Sequence, residues 1–425
     1  MRYIIVGGSI AGLSCARKIR ELERDSEVVI LSEEDRPYPK MALPYVLSGE
    51  IKRNTVRLAV PPGVRFLAQT KVTKLVPAER KVITAQAEEF GFDKLLIASG
   101  ARGANPEFEG SASPFVFTIR NLSDIWGLKA RLHKVPEGRV IISGAGPVSM
   151  EMAEGLRKLG CKPILLASSH RVLSMILDDE GSKILKQDLL EKGLDIYFGE
   201  SIKRVTTGEE EVFVETQSGK TFKGGSLIIG KGSSPNVELL ISSGIEVENG
   251  VIVDAFLETN KKGIFAAGDV CQAYDRVRKE KRVNALWPIA VEQGKYAAMN
   301  MTRSNIPYKG SVGRNIVTAF GNTVFTAGLS KSTDLETYCR AQRNKYSKVI
   351  LKDDRLVGVI FINVDIDPGA YLFAIEKEAK VPGLKQILLS GSLSYSHLWP
   401  FAKSAFGTPA TRIDSSRHGR VKLAP

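Results

Sequence analysis

The length and composition of the chain limit the classes of protein to which it can belong. It has 425 residues, of which 43% are hydrophobic and 25% are charged, and this length allows two or three domains with buried cores. No apolar run approaches the roughly 20 residues that a bilayer requires, and the N-terminal segment lacks the small-residue cleavage site of a secretory signal. We therefore expect a soluble, cytoplasmic protein without a membrane span.

Charge and cysteine spacing narrow the choice of partners. The formal net charge of +13 attracts anions such as dinucleotides, acidic proteins, nucleic acid or anionic lipid. Lysine and arginine are spread along the whole chain without a recognition motif, which disfavours nucleic acid. The cysteines have no short spacing, so the sequence predicts no metal or iron-sulfur site and no disulfide framework. They are Cys15, Cys161, Cys271 and Cys339.

A glycine-rich loop near the start has the spacing of a nucleotide-binding βαβ unit. An apolar run at 3–6 precedes Gly-Gly-Ser-Ile-Ala-Gly at 7–12 and a helical stretch at 13–23. A second apolar run at 28–31 leads to Glu33, 21 residues beyond the last of these glycines. The glycines allow a tight turn and close packing, the helix N-terminus can hold a pyrophosphate, and the carboxylate can bind a ribose. The alternative is a glycine turn in an unrelated α/β domain.

The same arrangement recurs in the middle of the chain. An apolar run at 139–143 precedes Gly-Ala-Gly-Pro-Val-Ser at 144–149 and a second helical stretch. Here the next strand runs into Ser168 and Arg171 rather than into a carboxylate. Since arginine and hydroxyl groups suit a 2′-phosphate, we expect a preference for NADP(H), or poor discrimination, at this second site. Solvation of Arg171 is the alternative.

Three further strand ends carry small or acidic residues. A buried strand ends at Ser99-Gly100, another is followed by Gly232, and a third ends at Gly268-Asp269. We expect a helix to follow Asp269, so that its carboxylate is either a helix N-cap or an acceptor for a ligand hydroxyl.

With these motifs in order, the sequence resembles the pyridine nucleotide-disulfide oxidoreductase superfamily over residues 1 to about 395. The fifth motif is Leu-Trp-Pro-Ile-Ala at 286–290 followed by Gln293-Gly294. The resemblance implies an α/β fold with two Rossmann-like dinucleotide-binding domains, the NAD(P) domain being inserted in the FAD domain, and a C-terminal α+β interface domain. The expected segments are 1–108 and 239–309 for FAD, 109–238 for NAD(P), 310–395 for the interface domain and 396–425 for a basic tail.

The resemblance also implies roles for individual residues. Lys40, Met41 and Glu151 would lie at the catalytic centre, with Glu151 beside the nicotinamide; the alternative for Glu151 is an ordinary acid near a helix N-terminus. The residues expected at FAD are Gly7, Ser9, Ala11, Gly12, Glu33, Lys40, Ser99, Gly100, Gly268, Asp269 and Ala290. Those expected at the nicotinamide dinucleotide are Gly144, Gly146, Ser149, Glu151, Ser168, Arg171 and Gly232. No metal site is expected.

The segment at 38–49 differs from the corresponding active-site segment of the disulfide-reducing members of the superfamily. It resembles the coenzyme A disulfide reductase and NADH oxidase subgroup, whose redox cysteine would fall on Met41. A thioether cannot form a thiolate, a disulfide or a sulfenic acid. The segment also resembles rubredoxin and ferredoxin reductases and the flavin portion of nitrite reductases, which use flavin alone and carry an arginine where this chain has Lys40. A surface lysine is the alternative for Lys40, and we expect Cys271 to be structural.

We therefore expect an FAD-dependent NAD(P)H oxidoreductase that exchanges electrons with an iron-sulfur protein, as a homo-oligomer or as a subunit of a larger complex. One alternative is an NAD(P)H oxidase, or a reductase of small sulfur or coenzyme A compounds, in which the flavin reacts directly without a redox cysteine. The other is a flavin-bearing docking subunit that has no turnover of its own. The tail at 396–425 carries five basic residues and one acidic residue. It either docks an acidic partner or is solvated, and solvation is the default.

Overall fold

The computed structural model describes residues 1–103, 107–133 and 138–402. The strands are β1 (Arg2–Val6), β2 (Glu27–Leu31), β3 (Arg65–Leu67), β4 (Val72–Val76), β5 (Lys81–Thr84), β6 (Glu89–Gly91), β7 (Lys94–Ile97), β8 (Ala101–Gly103), β9 (Val116–Phe117), β10 (Arg139–Ser143), β11 (Lys162–Ala167), β12 (Asp195–Phe198), β13 (Ile202–Thr207), β14 (Val212–Thr216), β15 (Thr221–Gly224), β16 (Ser226–Ile229), β17 (Ser233–Pro235), β18 (Val251–Ile252), β19 (Ile264–Ala266), β20 (Cys271–Asp275), β21 (Glu280–Val283), β22 (Arg314–Ala319), β23 (Asn322–Gly328), β24 (Glu336–Gln342), β25 (Lys345–Lys352) and β26 (Arg355–Ile362). The helices are α1 (Ile10–Leu22), α2 (Leu43–Ser48), α3 (Leu122–Leu132), α4 (Pro147–Lys158), α5 (Asp179–Glu191), α6 (Trp287–Met301), α7 (Pro368–Glu376), α8 (Lys385–Ser390) and α9 (Tyr395–Ala402).

A parallel sheet of order β19-β7-β1-β2-β3 forms the first unit. Its central strands are buried on both faces, which is why they are continuous apolar runs rather than alternating ones. Val6 pairs with Leu31 on one side and Ile97 on the other, and Ile97 pairs with Ala266. The strands therefore end together, and the loops that follow them meet at one edge, where open α/β sheets bind ligands.

A second sheet, of order β12-β11-β10-β16-β9, repeats this design. All its pairings are parallel, and its strands lie in sequence between β7 and β19 of the first sheet. The expectation of two Rossmann-like units, one inserted in the other, is confirmed. The individual domain boundaries remain predictions.

The predicted helix boundaries differ locally from those in the structure. Helix α1 begins at Ile10, because the last residues of the glycine loop already form its first turn. The predicted helix after Asp269 is wrong. Strand β20 follows instead, paired with β18 and β21, because these neighbours satisfy its backbone.

The C-terminal sheet, of order β22-β23-β26-β25-β24, is antiparallel and packs against the second unit. A buried polar contact joins the two: the Tyr346 hydroxyl and the Lys348 ammonium donate to the Asp178 carboxylate over 2.7 and 2.8 Å. The first residues of the predicted basic tail belong to α9, and residues 403–425 lie outside the described part of the chain. Among the described helices, none combines the length and apolarity that crossing a bilayer requires.

Candidate functional site

A cavity of about 300 Å³ opens at the carboxyl ends of β1, β7 and β19. Topology explains its position, because this is the edge where the first glycine loop and two further strand ends meet. Residues from eight segments, including the start of α6, converge on it. The predicted site residues that line it are Gly7, Ser9, Ala11, Glu33, Lys40, Met41, Ser99, Gly100, Glu151, Gly268, Asp269 and Ala290.

The glycine loop packs so closely against neighbouring backbone that Gly7 and Gly12 leave no room for a side chain. Gly7 has a φ of +116°, and a Cβ there would lie 2.1 Å from the Ala98 carbonyl oxygen. A Cβ on Gly12 would lie 2.1 Å from the Gly7 carbonyl oxygen. Gly268 has a φ of +82°, and its Cβ would meet the Ala11 side chain at 3.0 Å. The loop thus brings bare backbone to the N-terminus of α1, which fits a pyrophosphate group.

Asp269 and Arg120 form a second polar feature of the cavity. An Arg120 guanidinium nitrogen lies 3.6 Å from the Asp269 carboxylate and donates to the Ala101 carbonyl over 2.9 Å. Burial raises the pKa of Asp269, and the nearby Arg120 and Lys40 oppose that rise. The buried Nε of Arg120 has no hydrogen-bond partner among the described residues. An unsatisfied donor beside a carboxylate that caps no helix fits a ligand with hydroxyl groups.

Lys40 belongs to a hydrogen-bonded group that the sequence did not predict. Its ammonium lies 3.4 Å from the Glu34 carboxylate, which also accepts a 2.8 Å hydrogen bond from the Tyr38 hydroxyl. That hydroxyl accepts from the Leu122 backbone N–H over 3.2 Å, and burial raises the pKa of Tyr38. Lys40 is thus held toward the cavity by a carboxylate anchored to the start of α3.

Met41 stands in the turn that faces the cavity, and its side chain is 61% exposed. All four cysteines lie in the described part of the chain, and none of them lines the cavity. Cys15 and Cys271 are buried, and burial raises the pKa of both thiols, so neither resembles a reactive thiolate.

Glu151 belongs to the second unit and also lines this cavity. It lies in the second turn of α4 and is partly buried, and burial together with the nearby Glu154 carboxylate raises its pKa to about 7. Desolvation therefore outweighs the helix dipole, which alone would favour the charged form.

The remaining residues predicted at the nicotinamide dinucleotide lie at the carboxyl edge of the second sheet. Gly144, Gly146 and Ser149 follow β10, and Gly144 has a φ of +121°. Ser168 and Arg171 follow the neighbouring strand β11, and the Arg171 guanidinium pairs with the Asp179 carboxylate. Gly232 follows β16. None of these lines the first cavity. Helix α4 of the second unit reaches that cavity through Val148 and Glu151.

Sequence reasoning missed Glu34 and Arg120. Glu34 adjoins the predicted Glu33, whose own carboxylate pairs with Lys71 over 2.9 Å at the surface. Arg120 precedes a capping box formed by Asn121 and Asp124, which marks a helix start but not a ligand site. Within the described residues, no group of three or more histidine, cysteine or acidic side chains is arranged to hold a metal ion.

Comparisons with known proteins agree with this architecture. The family described as pyridine nucleotide-disulphide oxidoreductase matches residues 1–294. The assimilatory nitrate reductase electron transfer subunit of Bacillus subtilis (strain 168) is 26% identical over 407 residues, covering 92% of this chain and 51% of the relative. This chain thus spans about half the length of that protein. The NADH-dependent phenylglyoxylate dehydrogenase subunit epsilon of Aromatoleum evansii is 26% identical over 408 residues, covering 92% and 96% of the two chains.

Solved structures share the fold. The covalent putidaredoxin reductase-putidaredoxin complex matches with a TM-score of 0.85 at 20% identity, covering 95% of this chain and 99% of that one. Since the family match covers more than half of the sequence and includes both glycine loops and Gly268-Asp269, the chain belongs to the pyridine nucleotide-disulphide oxidoreductase family, as an oxidoreductase that depends on FAD and NAD(P)H.

Proposed function

We propose that this protein passes electrons between NAD(P)H and an iron-sulfur protein or subunit, with no cysteine taking part. The observation that carries the proposal is the side chain at position 41: a methionine, in a cavity that no cysteine lines. FAD, when bound, supplies hydride acceptance and the release of single electrons. Without a thiol at the site, those electrons suit a one-electron partner better than a disulfide.

Different residues of the cavity at the carboxyl ends of β1, β7 and β19 would hold different parts of the cofactor. The bare backbone of the loop at 7–12 and the N-terminus of α1 would hold the pyrophosphate. Asp269 and Arg120 would bind the hydroxyl-bearing chain, since both present polar atoms to the cavity. Lys40, held by Glu34, would place a positive charge beside the cofactor and favour its anionic forms. Glu151 would contact the nicotinamide from the side of α4.

Charge and relatedness support a macromolecular electron partner. The net charge of +13 favours association with an acidic protein, because complementary fields raise encounter rates. Two relatives are named as subunits, one for electron transfer to nitrate reductase and one in a phenylglyoxylate dehydrogenase. We infer that this chain likewise works within an assembly, as a homo-oligomer or beside iron-sulfur subunits.

Anaerobic stopped-flow reduction by NADH and by NADPH, followed by mixing with ferredoxin, rubredoxin, disulfides or oxygen, tests the proposal. The fastest reoxidation is expected with an iron-sulfur protein. Rapid steady oxidation by air alone would favour an oxidase, and preferential reoxidation by a disulfide would favour a sulfur-compound reductase. Inactivity alone, together with co-purification with iron-sulfur subunits, would favour a docking subunit.

Removing thiol chemistry is expected to leave turnover intact. Alkylation of the accessible cysteines with iodoacetamide, and the substitution Met41→Leu, should each change the ferredoxin reduction rate by less than about twofold, because neither change touches an electron-carrying group. Met41→Leu preserves volume and apolarity. The measurement is steady-state reduction of ferredoxin under argon. Loss of turnover after alkylation would assign a cysteine to the relay and contradict the proposal.

Nucleotide preference is expected to depend on Arg171. Arg171→Ala should lower kcat/KM for NADPH by about tenfold and leave that for NADH nearly unchanged, since a charge-assisted contact to the 2′-phosphate is lost. Asp179 pairs with Arg171, so Asp179→Asn should free the guanidinium and raise kcat/KM for NADPH. Lys183→Ala on α5 is the control. Equal losses with both nucleotides would remove Arg171 from phosphate recognition.

A further inference from the structure

A second cavity, of about 520 Å³, lies at the opposite edge of the first sheet. Phe92 precedes β7 and Ile264 begins β19, so this cavity is at the amino ends of strands whose carboxyl ends form the cofactor site. A ligand there would not compete with a dinucleotide. Its lining residues are Lys74, Leu75, Val76, Pro77, Ala78, Arg80, Phe92, Ser242, Ser243, Lys261, Lys262 and Ile264.

The cationic side chains that line this cavity outnumber the acidic side chains that pair with them. Lys262 is paired with Glu258 over 2.7 Å, and the same carboxylate accepts from the Gly263 backbone N–H over 2.7 Å. The other three cationic side chains form no ion pair with a described carboxylate. These are Lys74, Arg80 and Lys261.

Arg80 is fixed in place by groups that do not neutralise it. Its Nε donates to the Phe92 carbonyl over 3.3 Å, and a terminal nitrogen donates to the Asp93 carbonyl. The guanidinium lies against Gly263, where a Cβ would approach it to 3.1 Å. The guanidinium also lies over the Phe92 ring, 5.9 Å from its centroid. Because neither the carbonyls nor the ring carries a formal negative charge, the positive charge of Arg80 remains available to an anion.

A further observation defines the ligand chemistry. The inner wall is apolar, with Leu75, Phe92 and Ile264 all buried.

We propose that this second cavity binds a small phosphorylated molecule that carries an apolar or aromatic portion. The three unpaired cations would hold the phosphate through charge-assisted hydrogen bonds, while the apolar wall would receive the remainder of the ligand. The inference does not depend on the identity of the electron partner.

Isothermal titration of the FAD-loaded protein, in saturating NAD⁺ and NADP⁺ to fill the dinucleotide sites, provides the test. The probes are phenyl phosphate and inorganic phosphate. Phenyl phosphate should bind more tightly, by at least about threefold, because only it can bury apolar surface on the wall. The double variant Lys74→Gln/Lys261→Gln should weaken its binding by about tenfold or more, whereas the exposed Lys183→Gln on α5 should not.

Three outcomes would overturn the proposal. Affinities that are equal in the double variant and in Lys183→Gln would show that the cavity cations do not bind the probe. Loss of binding in saturating NAD⁺ and NADP⁺ would place the probe in a dinucleotide site. Sedimentation with phosphatidylglycerol vesicles that the double variant abolishes, without phenyl phosphate binding, would assign the cations to a membrane surface. Unchanged flavin absorbance in the double variant confirms that it is folded.

Discussion

Gly12→Ala is expected to abolish most FAD binding and to lower the free energy of unfolding by about 1–3 kcal/mol. The added Cβ would lie 2.1 Å from the Gly7 carbonyl oxygen and 3.0 Å from the Ile5 side chain. Backbone cannot yield as the end of a flexible side chain can, so the loop and α1 must separate. The ratio of flavin to protein absorbance measures cofactor content, and denaturant unfolding measures stability.

Gly91→Ala is the matched control for this packing effect. Its Cβ would find its nearest neighbour, the Arg80 carbonyl oxygen, at 3.9 Å, so both FAD content and stability should stay near those of the unsubstituted protein. Full FAD content in Gly12→Ala would mean that the glycine loop does not form the cofactor cradle.

Glu151→Gln is expected to remove a pH dependence from reduction by NAD(P)H. With a pKa of about 7, the Glu151 carboxylate is charged above neutrality, where it can stabilise the positive charge that develops on the nicotinamide as hydride leaves. Reduction should therefore slow as the pH falls through 7. In Glu151→Gln the rate should be independent of pH in this range and about tenfold lower at pH 8. Stopped-flow reduction between pH 5.5 and 8.5 measures both.

Glu154→Gln, one turn further along α4, is the control. Glu154 raises the pKa of Glu151, so its neutralisation should move the inflection to lower pH and leave the rate at pH 8 nearly unchanged. An inflection near pH 7 that persists in Glu151→Gln would assign the titration to another group.

The same ionisation has an expected effect on stability. Folding raises the pKa of Glu151 from 4.5 to about 7. The contribution of the protonated carboxyl group to the free energy of unfolding is therefore fully present below pH 4.5 and is lost as the pH rises through 7. Glu151→Gln should therefore be more stable than the unsubstituted protein above pH 7, by at most roughly 3 kcal/mol, and equally stable near pH 4. Thermal unfolding at the two pH values would show this difference.

Packing between the units explains how the turn at Met41 and the helix of Glu151 share one cavity. Helix α2 begins at Leu43, directly after the turn, and rests on α4 so closely that a Cβ on Gly155 would lie 3.1 Å from the Pro44 carbonyl oxygen. The relative placement of these two segments is therefore set by contact between backbones rather than by flexible side chains.

The amino-acid sequence by itself determined the two βαβ units and twelve of the thirty residues that line the cavity. Strand, glycine turn, helix and second strand lie within about 30 residues, so local periodicity and turn chemistry specify them without long-range information. The positions of Gly7, Ser99 and Asp269 at one edge then follow, because parallel strands end together.

Only the tertiary structure decided which side chains outside these motifs complete the cavity. Arg120 reaches Asp269 across 149 positions of the chain, and the Tyr38 hydroxyl meets the backbone of Leu122 through another long-range contact. The strand that replaced the predicted helix after Asp269 forms a hairpin with β21 and also pairs with β18, which lies earlier in the chain. The long-range contacts of Arg120 and Tyr38 arise from how the first two units pack against each other, and no local spacing encodes them.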